Sequence, residues 1–198
     1  NPQRILYGVL GAPGTGMLPK DSIADKSTRR GLADALDTLV VRFGGGGDIQ
    51  AGETLIGFKS YDQGREKWQG PTLHVVWFDE EPPADIYTEG LTRTNVAMGP
   101  IFLTFTPLLG MSEVVKRFLI DKVPGTHVTQ MTIEDALHYT PEQRAAIIAS
   151  YPLHEREARA RGVPTMGSGR VFPIDEAFIT CEAFEIPAHW PQIAGIDF

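Results

Sequence analysis

The chain of 198 residues is long enough to form one sizeable hydrophobic core. Its composition, 42% hydrophobic and 22% charged, is typical of a soluble globular protein, and no apolar run reaches membrane-spanning length. A net charge of −7 weakens any assignment as a chain that wraps nucleic acid by itself, because phosphate binding needs a basic face. The single cysteine, Cys181, excludes an internal disulfide and suits a reducing compartment.

The first segment, Arg4–Leu10, predicts a strand that leads into a glycine-rich loop. In this loop Gly11 and Gly16 have the spacing of a phosphate-binding P-loop, G-x-x-x-x-G-K-[ST]. However, Met17 and Leu18 stand where that motif has its Lys and its Ser or Thr, and neither supplies a charge or a magnesium ligand. A surface turn is therefore favoured, and a degenerate phosphate loop stays open as the alternative.

Two further segments, residues 39–43 and 53–60, have the composition of strands. The four glycines and the aspartate after the first of them predict a flexible loop, so we expect a hairpin. The next stretch, Tyr61–Gly70, is polar with a single Trp. It is either a solvated connection or a surface that contacts phosphate or a neighbouring subunit through Arg65 or Lys67.

An uninterrupted apolar run, Leu73–Phe78, predicts a strand that is buried on both faces, as in a parallel sheet between helices. It ends on three carboxylates and two prolines: Asp79, Glu80, Glu81, Pro82 and Pro83. Ligands bind at the carboxyl ends of strands in open α/β sheets, and prolines cannot extend a strand. This pattern is typical of the Walker B motif of nucleotide hydrolases, although a core strand with an acidic turn would have the same sequence.

A second buried strand is predicted over Gly99–Pro107, with the hydroxyls of Thr104 and Thr106 at its carboxyl end. These hydroxyls either cap the following turn or contact a phosphate beside the acids. We also expect a strand over Val128–Ile133 and helices over Ile86–Arg93, from Ser112 to Lys122, from Thr140 to Ser150, and from Leu153 to Gly162. The alternation of strands and helices predicts an α/β fold with a mostly parallel sheet and flanking helices.

Taken together, these motifs resemble the large terminase subunit of tailed bacteriophages, the motor that packages DNA. The resemblance covers nearly the whole chain and rests on the segments Phe58–Arg65, Val75–Pro83, Leu91–Arg93, Leu103–Gly110 and Gly195–Phe198. It implies an incomplete P-loop NTPase-like fold that uses ATP and Mg²⁺. Within it, Asp79 would hold the magnesium ion, Glu80 would activate water, Thr104–Thr106 would be the coupling motif, and Arg93 would reach a phosphate.

The resemblance also implies a division of the chain and a set of partners. Residues 1–150 would be the later part of the ATPase domain, 151–192 a helical linker with an extended segment, and 193–198 the first strand of an RNase H-like nuclease. Asp197 would be the first ligand of its two divalent metals. The implied partners are double-stranded DNA, the portal protein, the small terminase subunit and further copies in a ring, with no membrane, in the host bacterial cytoplasm at the procapsid portal.

The sequence departs from the family in one respect, since no Walker A lysine precedes the acids. We therefore expect an excised piece of a longer polypeptide, with its Walker A loop before Asn1 and negligible activity alone. One alternative is a self-contained ATP-binding module with the degenerate loop Gly11–Met17. Another is a non-enzymatic assembly fragment that only contacts partner subunits.

Overall fold

The computed structural model describes residues 1–32, 34–44, 50–164, 180–187 and 189–191. By the compactness of the backbone, the chain divides into one unit of residues 1–107 and 111–129 and another of residues 108–110 and 130–198. The predicted functional boundaries at residues 150 and 192 are a different kind of division and stay predictions.

The centre of the first unit is a parallel pair of strands joined by a helix. Strand β6 (Val76–Asp79) is followed by helix α2 (Ala84–Thr94) and strand β7 (Ile101–Thr104), and β6 pairs with β7 in parallel. Helix α3 (Glu113–Leu119) follows, with Ser112 as its N-cap, since the Ser112 hydroxyl accepts a hydrogen bond from the Val115 amide. The predicted strand–helix–strand–helix order is confirmed, although both strands and α3 are shorter than predicted.

The β6–β7 pair has one buried face, which helix α2 covers. Val76 and Phe78 point to this face and pack with Ile86 and Tyr87 of α2. The alternate side chains point to the opposite face, where Phe102 is 46% exposed. The prediction that this strand is buried on both faces is therefore wrong, because α2 covers one side only among the described residues.

A separate antiparallel sheet contains β3 (Ile23–Thr28), β4 (Leu36–Phe43) and β5 (Gly52–Gly57), with β4 in the centre. Its core consists of Leu36, Leu39 and Val41, which pack with Tyr7. The predicted hairpin is confirmed as β4 and β5, with Phe43 opposite Gly52. The chain is thus mixed α/β as predicted, but the prediction of a mostly parallel sheet is wrong, because the short loops around β4 return each neighbouring strand antiparallel.

The amino-terminal segment also differs from its prediction. Residues Pro2–Leu6 form a short helix, α1, in which Asn1 is the N-cap and Pro2 occupies the first turn. Asn followed by Pro is a helix-start signal that outweighs the apolar run predicted as a strand over Arg4–Leu10. Only Gly8–Val9 remain extended there; they form β1, which pairs antiparallel with β2 (Ala12–Pro13).

In the second unit, helix α4 (Pro141–Ser150) begins at the predicted capping box of Thr140 and Gln143. A 3-10 turn leads into helix α5 (Arg156–Arg161), which ends at Gly162 in the left-handed conformation with φ of 64°. Both predicted helices are confirmed. The strand predicted over Val128–Ile133 is wrong; Thr132 instead caps a 3-10 turn, Ile133–Asp135, by accepting from the Glu134 amide.

Gly99 fixes the approach of β7 to the segment before β6. A Cβ at this position would meet the backbone carbonyl of His74, which cannot move without disturbing the strand pair. We expect Gly99→Ala to lower the free energy of unfolding by about 1–3 kcal/mol through overpacking. Thermal unfolding measures this effect. Gly11→Ala is the matched control, because a Cβ at Gly11 has no neighbour within 4 Å; an equal loss of stability in both variants would contradict the assignment.

Candidate active site

The acids lie where β6 ends, directly beside the end of β7. The parallel register places Asp79 opposite Thr104, and the Glu80 amide donates a hydrogen bond of 2.9 Å to the Thr104 carbonyl. Because the carboxyl ends of parallel strands meet at one edge of a sheet, the carboxylate and the hydroxyl share that edge. They also share a face, since opposed residues of a parallel pair point to the same side.

A short hydrogen-bond network orients the Thr104 hydroxyl. The indole N–H of Trp77 donates to Thr104 Oγ1 at 2.8 Å, and Thr104 Oγ1 lies 3.4 Å from Asp79 Oδ1. An indole is a donor only, so the hydroxyl oxygen must accept from Trp77. The hydroxyl therefore donates its own proton to the Asp79 carboxylate. Stacking of Trp77 on Phe102, with centroids 5.8 Å apart, keeps the indole in place.

The carboxylate of Asp79 is partly open to solvent. Its side chain is 25% exposed. No group of three or more His, Cys, Asp or Glu residues with metal-binding geometry occurs within the described residues. A single carboxylate suits Mg²⁺ bound through nucleotide phosphates and water, which is how this ion is usually held.

The neighbouring acid, Glu80, is exposed and has an unusual backbone conformation. Its φ is 65°, in the left-handed region that residues with a Cβ rarely occupy. Glu81 follows with one side-chain oxygen buried and without a hydrogen-bond partner among the described residues. Pro83 then precedes the first turn of α2. Of the two carboxylates that follow Asp79, Glu80 is therefore the more exposed.

The glycine-rich loop at Gly11–Gly16 does not form a phosphate cradle. It contains the end of the turn and the second strand of the antiparallel β1–β2 hairpin, and neither strand of that hairpin pairs with β6 or β7. The Thr15 hydroxyl donates to the Ala12 carbonyl and accepts from the Val9 amide, so it is used within the hairpin. A P-loop needs a strand that ends beside the Walker B strand. The arrangement counts against the degenerate phosphate loop over Gly11–Met17.

Comparison with known proteins identifies the chain's relatives. Residues 9–177 match the family model described as terminase large subunit, T4likevirus-type, N-terminal. This chain belongs to the terminase large-subunit family. It is 51% identical over 199 aligned residues to the terminase large subunit of Salmonella phage P22, an alignment that covers 99% of this chain and 40% of the relative.

The terminase large subunit of Enterobacteria phage LP7 is also similar, with 54% identity over 129 residues, 65% of this chain and 27% of that protein. The chain thus spans less than half the length of these two terminase relatives. No solved structure matches the chain. Within the described residues, no helix has the length and hydropathy that crossing a bilayer requires.

The terminase resemblance also gives roles to Thr106 and Arg93. Within the described residues, neither side chain forms a hydrogen bond or an ion pair with Asp79 or Thr104. Thr106 is partly buried, two residues beyond the end of β7. Arg93 lies near the end of α2, where its backbone carbonyl accepts from the Leu73 amide, before the start of β6. Its guanidinium donates to the Gly70 carbonyl at 2.9 Å and pairs with Glu89 at 3.1 Å. These contacts favour a structural role for Arg93, and its phosphate role stays a prediction.

The remaining predicted residues are a nuclease metal ligand and two cations of the polar stretch. Asp197 falls outside the described residues, so its role as a nuclease metal ligand stays a prediction. Arg65, one of the two cations singled out in the polar stretch, pairs with Glu89 at 3.7 Å. Lys67 contributes its backbone carbonyl to the Lys59 ammonium. The Arg65 contact favours a structural connection over a phosphate surface. The Lys67 contact involves only the backbone, so the role of its exposed ammonium stays a prediction.

Sequence reasoning missed two residues of the candidate site. Trp77 was predicted only as part of the apolar run Leu73–Phe78, and no sequence signal distinguishes an indole that donates a hydrogen bond from one that only packs. Tyr61 looked like part of a solvated loop, yet its hydroxyl contacts the carbonyls of Asp79 and Glu80. Its presence in a segment that resembles the family, next to a Ser60–Gln63 capping box, was the available signal.

Proposed function

We propose that this chain is part of the ATP-hydrolysing motor of a terminase large subunit, which moves double-stranded DNA into a phage procapsid. The observation that carries the proposal is the in-register pair of Asp79 and Thr104 at the carboxyl ends of β6 and β7, with Glu80 directly after Asp79. The family membership supports the same function. ATP and Mg²⁺ are the proposed cofactors.

The residues divide the chemistry between them. Asp79 would hold Mg²⁺, which when bound neutralises charge on the nucleotide phosphates. Glu80, exposed beside it, is placed to orient the attacking water and accept its proton. The Thr104 hydroxyl accepts from the Trp77 indole and donates its own proton to Asp79 Oδ1. When a nucleotide phosphate leaves that edge, the Thr104 hydroxyl would change its hydrogen-bond acceptor. Because Thr104 is the last residue of β7, this change would link the nucleotide state to the position of β7.

The partners and the second activity are proposed for the whole large subunit. They are double-stranded DNA, the portal protein, the small terminase subunit and further copies in a ring, at the procapsid in the host cytoplasm. Cutting of DNA would require two divalent metals, with Asp197 among their ligands. Thr106 completes the proposed coupling motif with Thr104.

The proposal predicts a change in magnesium dependence. In a full-length large subunit carrying this sequence, Asp79→Asn removes the anionic ligand while preserving the shape of the side chain. We expect the Mg²⁺ concentration for half-maximal ATP hydrolysis to rise by about tenfold or more. Asp121→Asn is the matched control, because Asp121 is an exposed acid beyond α3. An unchanged magnesium requirement in Asp79→Asn would reject the assignment.

A further inference from the structure

The Asp79–Glu80 turn needs support from outside its own strand. Glu80 has φ of 65°, and a residue with a Cβ in this region costs on the order of 1–3 kcal/mol. Such a conformation persists only where surrounding contacts determine it. One such contact is the hydrogen bond of 2.9 Å that the Glu80 amide donates to the Thr104 carbonyl, which fixes the amino side of Glu80. This contact does not fix the carbonyl side.

The Tyr61 hydroxyl supplies the missing contact. Its oxygen lies 2.9 Å from the Asp79 carbonyl and 3.0 Å from the Glu80 carbonyl. A phenol has one proton, which it shares between these two acceptors. The two carbonyls flank the backbone of Glu80, so together with the amide contact the hydroxyl holds that residue on both sides.

Tyr61 itself is held rigidly, so its hydroxyl is delivered at a fixed position. Its ring stacks on Trp68 with centroids 6.0 Å apart and packs against Phe78 at 6.2 Å. Its backbone begins a 3-10 turn closed by the reciprocal hydrogen bonds of Ser60 and Gln63. The aromatic cluster and the capping box are independent restraints on the same residue.

Burial keeps this group a donor. It raises the pKa of the Tyr61 hydroxyl above its ordinary value of 10.0. The phenol therefore stays protonated throughout the neutral range. A phenylalanine would preserve the packing and leave both carbonyls without this proton.

We infer that Tyr61 is a positioning residue for ATP hydrolysis, which acts by holding the Asp79–Glu80 turn so that the Glu80 carboxylate faces the nucleotide edge. The inference rests on the proposed function, and it adds a residue 19 positions before Glu80 that touches no reacting atom. It also gives the Tyr61–Gly70 stretch a role other than solvated connection or phosphate contact.

The test uses Tyr61→Phe in a full-length large subunit carrying this sequence. We expect kcat for ATP hydrolysis to fall about tenfold, the factor that corresponds to one net hydrogen bond, with KM for ATP changed less than about twofold. In a Glu80→Gln background, Tyr61→Phe should cause no further loss, because it acts through the missing carboxylate. Tyr87→Phe, which removes a hydroxyl from the same aromatic cluster and keeps every ring, should leave kcat within about twofold.

A second measurement needs no nucleotide. Hydrogen exchange of the peptide that contains Asp79–Glu81 should be faster in Tyr61→Phe than in the parent, and unchanged in Tyr87→Phe. Unchanged exchange, or a tenfold loss that persists in the Glu80→Gln background, would overturn the inference. If Glu80→Gln keeps full ATPase activity, the proposed role of Glu80 fails instead. If the full-length subunit hydrolyses no ATP at all, the proposed function fails. In both cases the exchange experiment still decides whether Tyr61 holds the turn.

Discussion

Glu80→Gln is expected to lower kcat for ATP hydrolysis by about 10²–10⁴-fold in a full-length large subunit, because it removes the general base. The substituted side chain keeps its size and its hydrogen-bonding reach but cannot take a proton from water at neutral pH. ATP binding should persist, since the proposed contacts to Mg²⁺ belong to Asp79. Steady-state kinetics measures the first effect, and equilibrium titration with ATP measures the second.

The chain offers a matched control one residue away. Glu81→Gln makes the same change of charge at a side chain that is partly buried and has one oxygen sequestered from solvent. Its effect on kcat should be at least tenfold smaller than that of Glu80→Gln, because a proton-transfer group must reach the reacting water. Equal losses in the two variants would assign the effect to local charge and contradict a specific role for Glu80.

Phe78→Ala is expected to destabilise the β6 region by about 3–5 kcal/mol, the usual cost of truncating a fully buried phenylalanine. Phe78 is 0% exposed and contacts the rings of Tyr61, Trp68 and Tyr87. Its ring also lies where a Cβ on Gly90 would fall, so α2 approaches β6 closely at this point. The cavity would be lined by rigid rings that cannot collapse into it.

Native-state hydrogen exchange of the β6 and α2 amides measures this loss without requiring global unfolding. Phe102→Ala is the control: it removes the same side chain from the other face of the same sheet, where the phenylalanine is 46% exposed. The loss of stability in Phe102→Ala should stay below about half of the loss in Phe78→Ala, because Phe102 buries less of its side-chain surface. A larger loss at Phe102 would show that the outer face carries the stability of the pair.

The sequence predicted the elements of this site that depend on local patterns. The apolar run before Asp79 and the second run before Thr104 each end in polar residues, and parallel pairing brings such ends together. The capping signals at Ser112 and Thr140 were equally local, and the structure confirms both. These features were predictable because the spacing of hydrophobic residues, the ends of strands and the helix caps each depend on a few neighbouring residues.

The contacts that complete the site were not predictable in this way. Tyr61 reaches Asp79 across 18 positions, and the indole of Trp77 reaches Thr104 across 27. Such contacts depend on how separate elements pack, which no local pattern specifies. The antiparallel sheet around β4 has the same explanation, since an apolar strand is compatible with either direction of its neighbours. The helix at Pro2–Leu6 differs, because its start signal was present in Asn1 and Pro2.

The connector between α2 and β7 acts as a spacer of fixed length. The Gly99 amide donates to the Thr94 carbonyl at 3.1 Å, and the Val76 amide donates to the Pro100 carbonyl at 3.2 Å, so both ends of the connector are tied down. Adding or deleting one residue there would slide β7 by one position and turn Leu103 or Phe105 toward Asp79 in place of Thr104. The alignment between acid and hydroxyl is therefore set by a chain segment that touches neither of them.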